Sequence, residues 1–277
     1  MRVPAPPPCE NERTRYYRNV ATFRTTRVRP GATRAVVRRS IPTLEALEAR
    51  VVLSTVTVTG PVDDGNVGSL RFAINQVNLG NFDTIDFAFT DPNAHTIAVT
   101  SPLPAITKPV TINPSLKAVT LDGTSAGANA NGLTLGLGSD GSTVKGFDIG
   151  NFSSVGIDVR SKNNTIVKNF LGVDESGSLP KPNLYGIILE GTATGNTIGG
   201  ANLGNLISGN LHDGILVQGL GFQTPGNNTF VGNKIGLNAG GTFAIPNGFN
   251  GILLSDPADQ STHWRVRRPS TTSAQSR

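Results

Sequence analysis

Four aspartates of this 277-residue chain stand in short strands or tight turns, where a carboxylate could be held in place: Asp148, Asp158, Asp174 and Asp213. Glycoside hydrolysis needs two such groups side by side, one kept protonated as the acid and one ionised to activate water. These four are the candidate catalytic residues. Asp148 and Asp158 fall on different sides of the repeat described below, so the pattern does not bring them together. β-Elimination would want a base beside clustered acidic calcium ligands. Between residues 51 and 260 the only arginines are Arg71 and Arg160, and seven lysines are scattered without a cluster. A serine nucleophile needs a histidine, and only His95, His212 and His263 exist.

Other patterns fail on context. Gly136-Leu137-Gly138-Ser139-Asp140-Gly141 fits the dinucleotide glycine spacing, but Thr143-Val144 after it reads as a strand, not a phosphate-binding helix. Gly123-Thr124-Ser125-Ala126-Gly127 fits a nucleophile elbow, again with no helix following. The repeated Gly-Gly-x-Gly-x-Asp calcium motif and the EF-hand loop are both missing. A calcium site on Asp63, Asp64, Asp83 or Asp86 therefore has no motif behind it, and no cofactor is expected.

Charge divides the chain. Residues 1–50 carry 11 arginines against four acids, a net +7 in a Pro-rich stretch. Residues 51–260 are net −6, and residues 261–277 are net +4. The formal total of +5 thus belongs to the two ends, around a mildly acidic body. We read 1–50 as a disordered or processed basic leader and 257–277 as a disordered basic tail. Nucleic-acid binding is not expected, because Tyr16, Tyr17 and Phe23 are too few stacking rings to make an arm. One cysteine, Cys9, excludes a disulfide framework. No apolar run is long enough to span a membrane.

The body repeats. One unit is Asn-Thr-Ile or its equivalent: Ser142-Thr143-Val144, Asn164-Thr165-Ile166, Asn196-Thr197-Ile198 and Asn228-Thr229-Phe230. A second is Gly-aliphatic-x-aliphatic, beginning at Gly132, Gly156, Gly186, Gly214 and Gly251. A short apolar unit falls between them, as at Phe147-Asp148-Ile149 and Phe170-Leu171. Strands this brief cannot hold an isolated sheet. Three per cycle, each pairing with its counterpart in the next cycle, would bury a continuous aliphatic column. The spacing therefore predicts an all-β parallel β-helix over 113–256, with three short strands per coil. Corner asparagines (Asn164, Asn196, Asn228; Asn169, Asn205, Asn233) should stack and bond through their amides. Two similar loops, 172–185 and 236–250, lie 64 residues apart and should emerge on one side. Residues 51–112 form the N-terminal cap and first strands. There, Leu70, Ala73, Ile74 and Val77 have helical spacing behind an N-capping Ser69.

"DDGNVGSLRFAINQVN", "DTIDFAF" and "HTIAVTSPLPAITKPVTI", followed by "LDGTSAG", resemble the N-terminal module of bacterial right-handed parallel β-helix surface proteins of the CSLREA type, which implies a right-handed coil. The similar stretch runs through Gly68-Ser69-Leu70-Arg71 and Ala73-Ile74, within which the chain has Gly68 and Phe72 where the family often has Cys and Glu. The following coils resemble the pectate-lyase-type superfold. The Arg-rich start and "IPTLEALEARVVLS" resemble leaders of planctomycete-type surface proteins. These resemblances imply export to the bacterial cell surface. His212-Asp213 lacks the flanking glycine-histidine-glycine run expected of polygalacturonase-like enzymes. The function expected is thus a non-catalytic structural or adhesive solenoid contacting extracellular glycans or other surface macromolecules, with the two loops as its recognition surface. The alternative is a polysaccharide lyase or glycoside hydrolase.

Overall fold

The computed structural model of the protein describes residues 54–89, 96–114 and 119–255, and the backbone of 265–267. Residues 1–53, His95, His263 and Trp264 lie outside the described residues, as do 257–277 apart from the 265–267 backbone, so the leader and tail readings fall there. The chain divides into residues 1–50 and a compact unit from Val51 to Arg277. That unit is a parallel β-solenoid of about six turns.

Among the described residues there are nineteen short strands and one helix. The first part holds β1 (Thr55–Val58), α1 (Leu70–Asn78), β2 (Thr84–Phe87), β3 (Thr96–Ala98), β4 (Thr111–Ile112) and β5 (Val119–Asp122). Then come β6 (Leu133–Leu135), β7 (Thr143–Lys145), β8 (Phe147–Gly150), β9 (Val155–Val159), β10 (Thr165–Val167), β11 (Phe170–Leu171) and β12 (Tyr185–Glu190). The last are β13 (Thr197–Gly199), β14 (Leu206–Ile207), β15 (Ile215–Gln218), β16 (Thr229–Val231), β17 (Lys234–Ile235), β18 (Ile252–Ser255) and β19 (Arg265–Arg267). From β4 onward each strand pairs in parallel with the third strand after it, while β1–β2, β2–β4 and β3–β5 pair at shorter intervals, giving three sheets. Sheet 1 has the order β1-β2-β4-β7-β10-β13-β16-β19, sheet 2 β3-β5-β8-β11-β14-β17 and sheet 3 β6-β9-β12-β15-β18. Sheet 1 begins at β1, so strands within 51–112 already belong to the same column as the repeats.

Register follows side-chain type. Val56, Ile85, Ile112, Val144, Ile166, Ile198 and Phe230 align across sheet 1 and are buried. Their neighbours Thr55, Thr84, Thr111, Thr143, Thr165, Thr197 and Thr229 form a second column. A one-residue slip would exchange the two columns and expose the aliphatics, so the register is strongly specified.

The start of sheet 3 shows why glycine recurs. A Cβ on Gly132, Gly156, Gly186 or Gly214 would stand 2.5, 2.7, 2.4 or 2.7 Å from the carbonyl oxygen of Gly156, Gly186, Gly214 or Gly251. None of these four has a positive φ. Close approach between coils excludes a side chain here, not backbone handedness.

The helix forms where its spacing placed it. Ser69 caps it by accepting from the Phe72 N–H at 3.2 Å, and Leu70, Ala73, Ile74 and Val77 are buried against β1 and β2. Arg71 fastens the surrounding loops. It makes two bonds to Asp63, at 2.9 and 2.7 Å, and two to the carbonyls of Ser101 and Pro102. This arginine serves the cap. Among the described residues no helix is long and apolar enough to cross a membrane.

Candidate functional site

Three asparagine ladders run along the corners of the solenoid, and one of them carries the loops. Asn164 Nδ2 donates to Asn196 Oδ1 at 2.9 Å, and Asn196 Nδ2 to Asn228 Oδ1 at 3.0 Å. Asn169, Asn205 and Asn233 form the second ladder, at 3.1 and 2.9 Å. The repeat predicted both. A third, Asn183–Asn210–Asn247, joins them at 3.2 and 2.9 Å and was not anticipated. Each asparagine in this third ladder also donates to a carbonyl of the preceding coil: Ile149, Leu171 or Ile207. Buried amides are tolerated only when satisfied in this way.

The third ladder anchors the returns of two β-hairpin loops that follow β11 and β17. In the first, Val173 bridges Pro180; in the second, Leu237 bridges Ala244. Asp174 Oδ1 closes the first tip by accepting from the Ser178 and Leu179 N–H groups, both at 2.9 Å. Asn238 Oδ1 closes the second on Thr242 and Phe243, at 2.7 and 3.1 Å. The hairpins touch, the Ala239 N–H donating to the Gly177 carbonyl at 2.9 Å. The two loops emerge together on one side, over the outer face of sheet 2.

Beside the second hairpin lies a groove of about 660 Å³. Phe170, Leu206 and Lys234, aligned across β11, β14 and β17, form its floor. Asn202 and Gly204 line one flank and Ala239 the other. Lys234 Nζ donates to the Ala239 carbonyl, tying floor to hairpin.

Of the four aspartates, Asp148 and Asp174 come near enough to act on each other, while Asp158 interacts instead with Arg160 and Glu190 and Asp213 with Asn250. Asp148 is on sheet 2, aligned with Thr120 and Phe170, and is buried. The returning arm of the first hairpin lies beside it, the Asn151 N–H donating to the Lys181 carbonyl at 3.3 Å. Loss of hydration raises its pKa to about 7; Glu175 and Asp174 push the same way, while Lys181 opposes them. Asp174 is occupied by the hairpin tip. Burial also works on it, but bonds from Leu179, Ser178 and Ser176 outweigh that effect and hold its pKa below the usual value.

Asp158 stands on sheet 3 with Arg160 and Glu190. Arg160 Nη2 lies 2.8 Å from Asp158 Oδ2 and 2.9 Å from Glu190 Oε1, bridging two coils. Gln218 Nε2 donates to Glu190 Oε2 at 3.0 Å. Asp158 Oδ1 is buried without a hydrogen bond. Burial raises the Asp158 pKa to about 6, against the pull of Arg160 and with some help from Glu190. The sequence alone did not indicate Glu190 or Gln218, since only the register places them beside Arg160.

Asp213 is buried at the corner entering sheet 3, its Oδ1 accepting from the Asn250 N–H and Nδ2 at 2.9 and 2.8 Å. Its Oδ2 lies 3.7 Å from His212 Nδ1. The imidazole is held between two rings: Tyr185 at 4.9 Å and 39°, and Phe249 at 4.1 Å and 21°. Nothing in the repeat announced this row, because its three members differ in type.

Among the described residues no three His, Cys, Asp or Glu side chains come together in a group that could hold a metal ion. No family model and no curated protein matches the chain.

Proposed function

We propose that this is a non-catalytic recognition solenoid of the bacterial cell surface, exported behind its basic leader, which holds extracellular glycans on the hairpin side. In this reading residues 51–112 are the CSLREA-like module and the coils belong to the pectate-lyase-type superfold. The observation that carries it is the groove over Phe170, Leu206 and Lys234, walled by a hairpin that the third asparagine ladder fixes in place. A concave site with a ring, an aliphatic floor and a few polar groups suits a sugar. The placement of the four aspartates supports binding without chemistry: Asp174, the one that comes near Asp148, and Asp213 are committed to backbone N–H groups, and Asp158 lies on another sheet, paired with Arg160.

Retention of the full chain on a panel of neutral and acidic polysaccharides tests this, with reducing ends and unsaturated uronates assayed in parallel. Retention without product is the expected result. Product formation abolished by Asp158→Asn or Asp213→Asn would replace the reading with a hydrolase or lyase.

A further inference from the structure

Phe249 is 68% exposed, although it stacks on His212. One face of the ring covers the imidazole at 4.1 Å, so its exposure leaves the other face open. Behind it the row continues through His212 to Tyr185, giving the ring a rigid backing. Gly248 makes this corner possible: a Cβ there would lie 2.0 Å from the Leu211 carbonyl oxygen. An open aromatic face on a fixed platform is a stacking site for a flat, partly apolar ligand.

His212 supplies the polar half. Its Nδ1 is buried without a hydrogen bond and faces the buried Asp213 Oδ2 at 3.7 Å. A carboxylate on that side favours the tautomer with the proton on Nδ1. Nε2 is then an acceptor, on a ring whose two faces and Nδ1 are covered while the side chain remains 38% exposed. The site therefore offers an apolar face beside an acceptor for a hydroxyl. The charge beneath it is the Asp213 carboxylate, and residues 51–260 are net −6, so a polyanion is repelled.

Resting on the glycan-binding reading, we infer that Phe249 and His212 form a separate subsite for a neutral pyranose, which stacks its C–H face on Phe249 and donates a hydroxyl to His212 Nε2.

Calorimetric titration of the full chain with cellohexaose, mannohexaose and hexagalacturonate tests this. Binding of a neutral hexasaccharide, weakened about 3- to 10-fold by Phe249→Ala and by His212→Ala, is expected. Phe249→Trp should retain it, which separates loss of the platform from loss of the corner. Tighter binding of hexagalacturonate overturns the subsite. So does unchanged affinity in both alanine variants; if Phe170→Ala weakens binding in that case, the groove remains the glycan site. Absence of binding by all three sugars overturns the subsite and, for these glycans, the reading beneath it.

Discussion

Asn210 Oδ1 accepts from the Nδ2 of Asn183, a residue 27 positions earlier, and Asn210 Nδ2 passes the contact on to Asn247, 37 positions later. The unequal intervals join the two hairpin-bearing coils through a coil that has no hairpin. Asn210 also donates to the Leu171 carbonyl, where the first hairpin begins. Asn210→Ala would remove three buried bonds at once, leaving the Asn183 amide only its bond to Ile149 and the Leu171 carbonyl only the Ser208 N–H. We expect a loss of about 2–3 kcal/mol in urea unfolding. A loss below about 0.5 kcal/mol would mean that the ladder is decorative.

The glycine column makes a sharper demand. Gly186→Ala would place a methyl 2.4 Å from the Gly214 carbonyl oxygen, and the coil above cannot retreat without breaking its ladder. A loss of about 3 kcal/mol or more is expected. Gly141→Ala is the control: its φ is +82° but a Cβ there meets nothing within 4 Å. It should cost only about 1 kcal/mol, the ordinary penalty for a left-handed non-glycine residue. Equal losses in the two variants would refute the steric account.

These cases show what the sequence could and could not reveal. Asn164, Asn196 and Asn228 were legible because each precedes the same Thr-aliphatic strand. The ladder of Asn183, Asn210 and Asn247 was not: the first and third share a Pro-Asn step at the end of their loops, but Asn210 stands in a coil without that insert and shows no such sign. The fold could be read from a period that every coil repeats. Arg160–Glu190 and Tyr185–His212–Phe249 depend on which unlike residues the register brings together, and one coil carries no sign of its neighbour.

Asp148 sets a pH dependence. Its carboxyl is protonated in the fold below about 7, whereas in the unfolded chain it ionises near 3.8. Its contribution is fully present below 3.8, falls as pH rises towards about 7, and is flat beyond. The total is a few kcal/mol at most, of order 1.4 kcal/mol per pH unit. Asp148→Asn should remove that slope, so the variant gains on wild type between pH 4 and pH 7. Parallel curves of unfolding free energy against pH for the two proteins would contradict the raised pKa.

Arg160 should behave in the opposite sense. Its guanidinium is the cation between Asp158 and Glu190, and Asp158 already ionises only near 6. Arg160→Met leaves two carboxylates facing each other. Above pH 6 this should cost about 1–3 kcal/mol, less than a fully buried pair because the arginine side chain is 49% exposed. At pH 5 Asp158 can hold its proton, and the loss should shrink. A loss independent of pH would show that Arg160 acts through packing alone.

Asp174 and Asn238 occupy equivalent places in the two hairpins, 64 residues apart, yet one is charged and the other neutral. What each tip requires is a single oxygen placed to accept from two successive N–H groups: Ser178 and Leu179 in the first, Thr242 and Phe243 in the second. Both side chains supply that oxygen, so Asp174→Asn and Asn238→Asp should each cost less than about 0.5 kcal/mol. Alanine at either position removes the acceptor and should cost about 1–2 kcal/mol, read most directly as faster hydrogen exchange at the two N–H groups. Asp174→Asn has a second effect, because it removes one of the negative charges that raise the Asp148 pKa. The Asp148 titration should therefore move to lower pH in this variant, while Asn238→Asp should leave the exchange pattern of the first hairpin unchanged. If Asp174→Asn loosened the first hairpin as much as Asp174→Ala did, the charge and not the acceptor geometry would be what closes the turn.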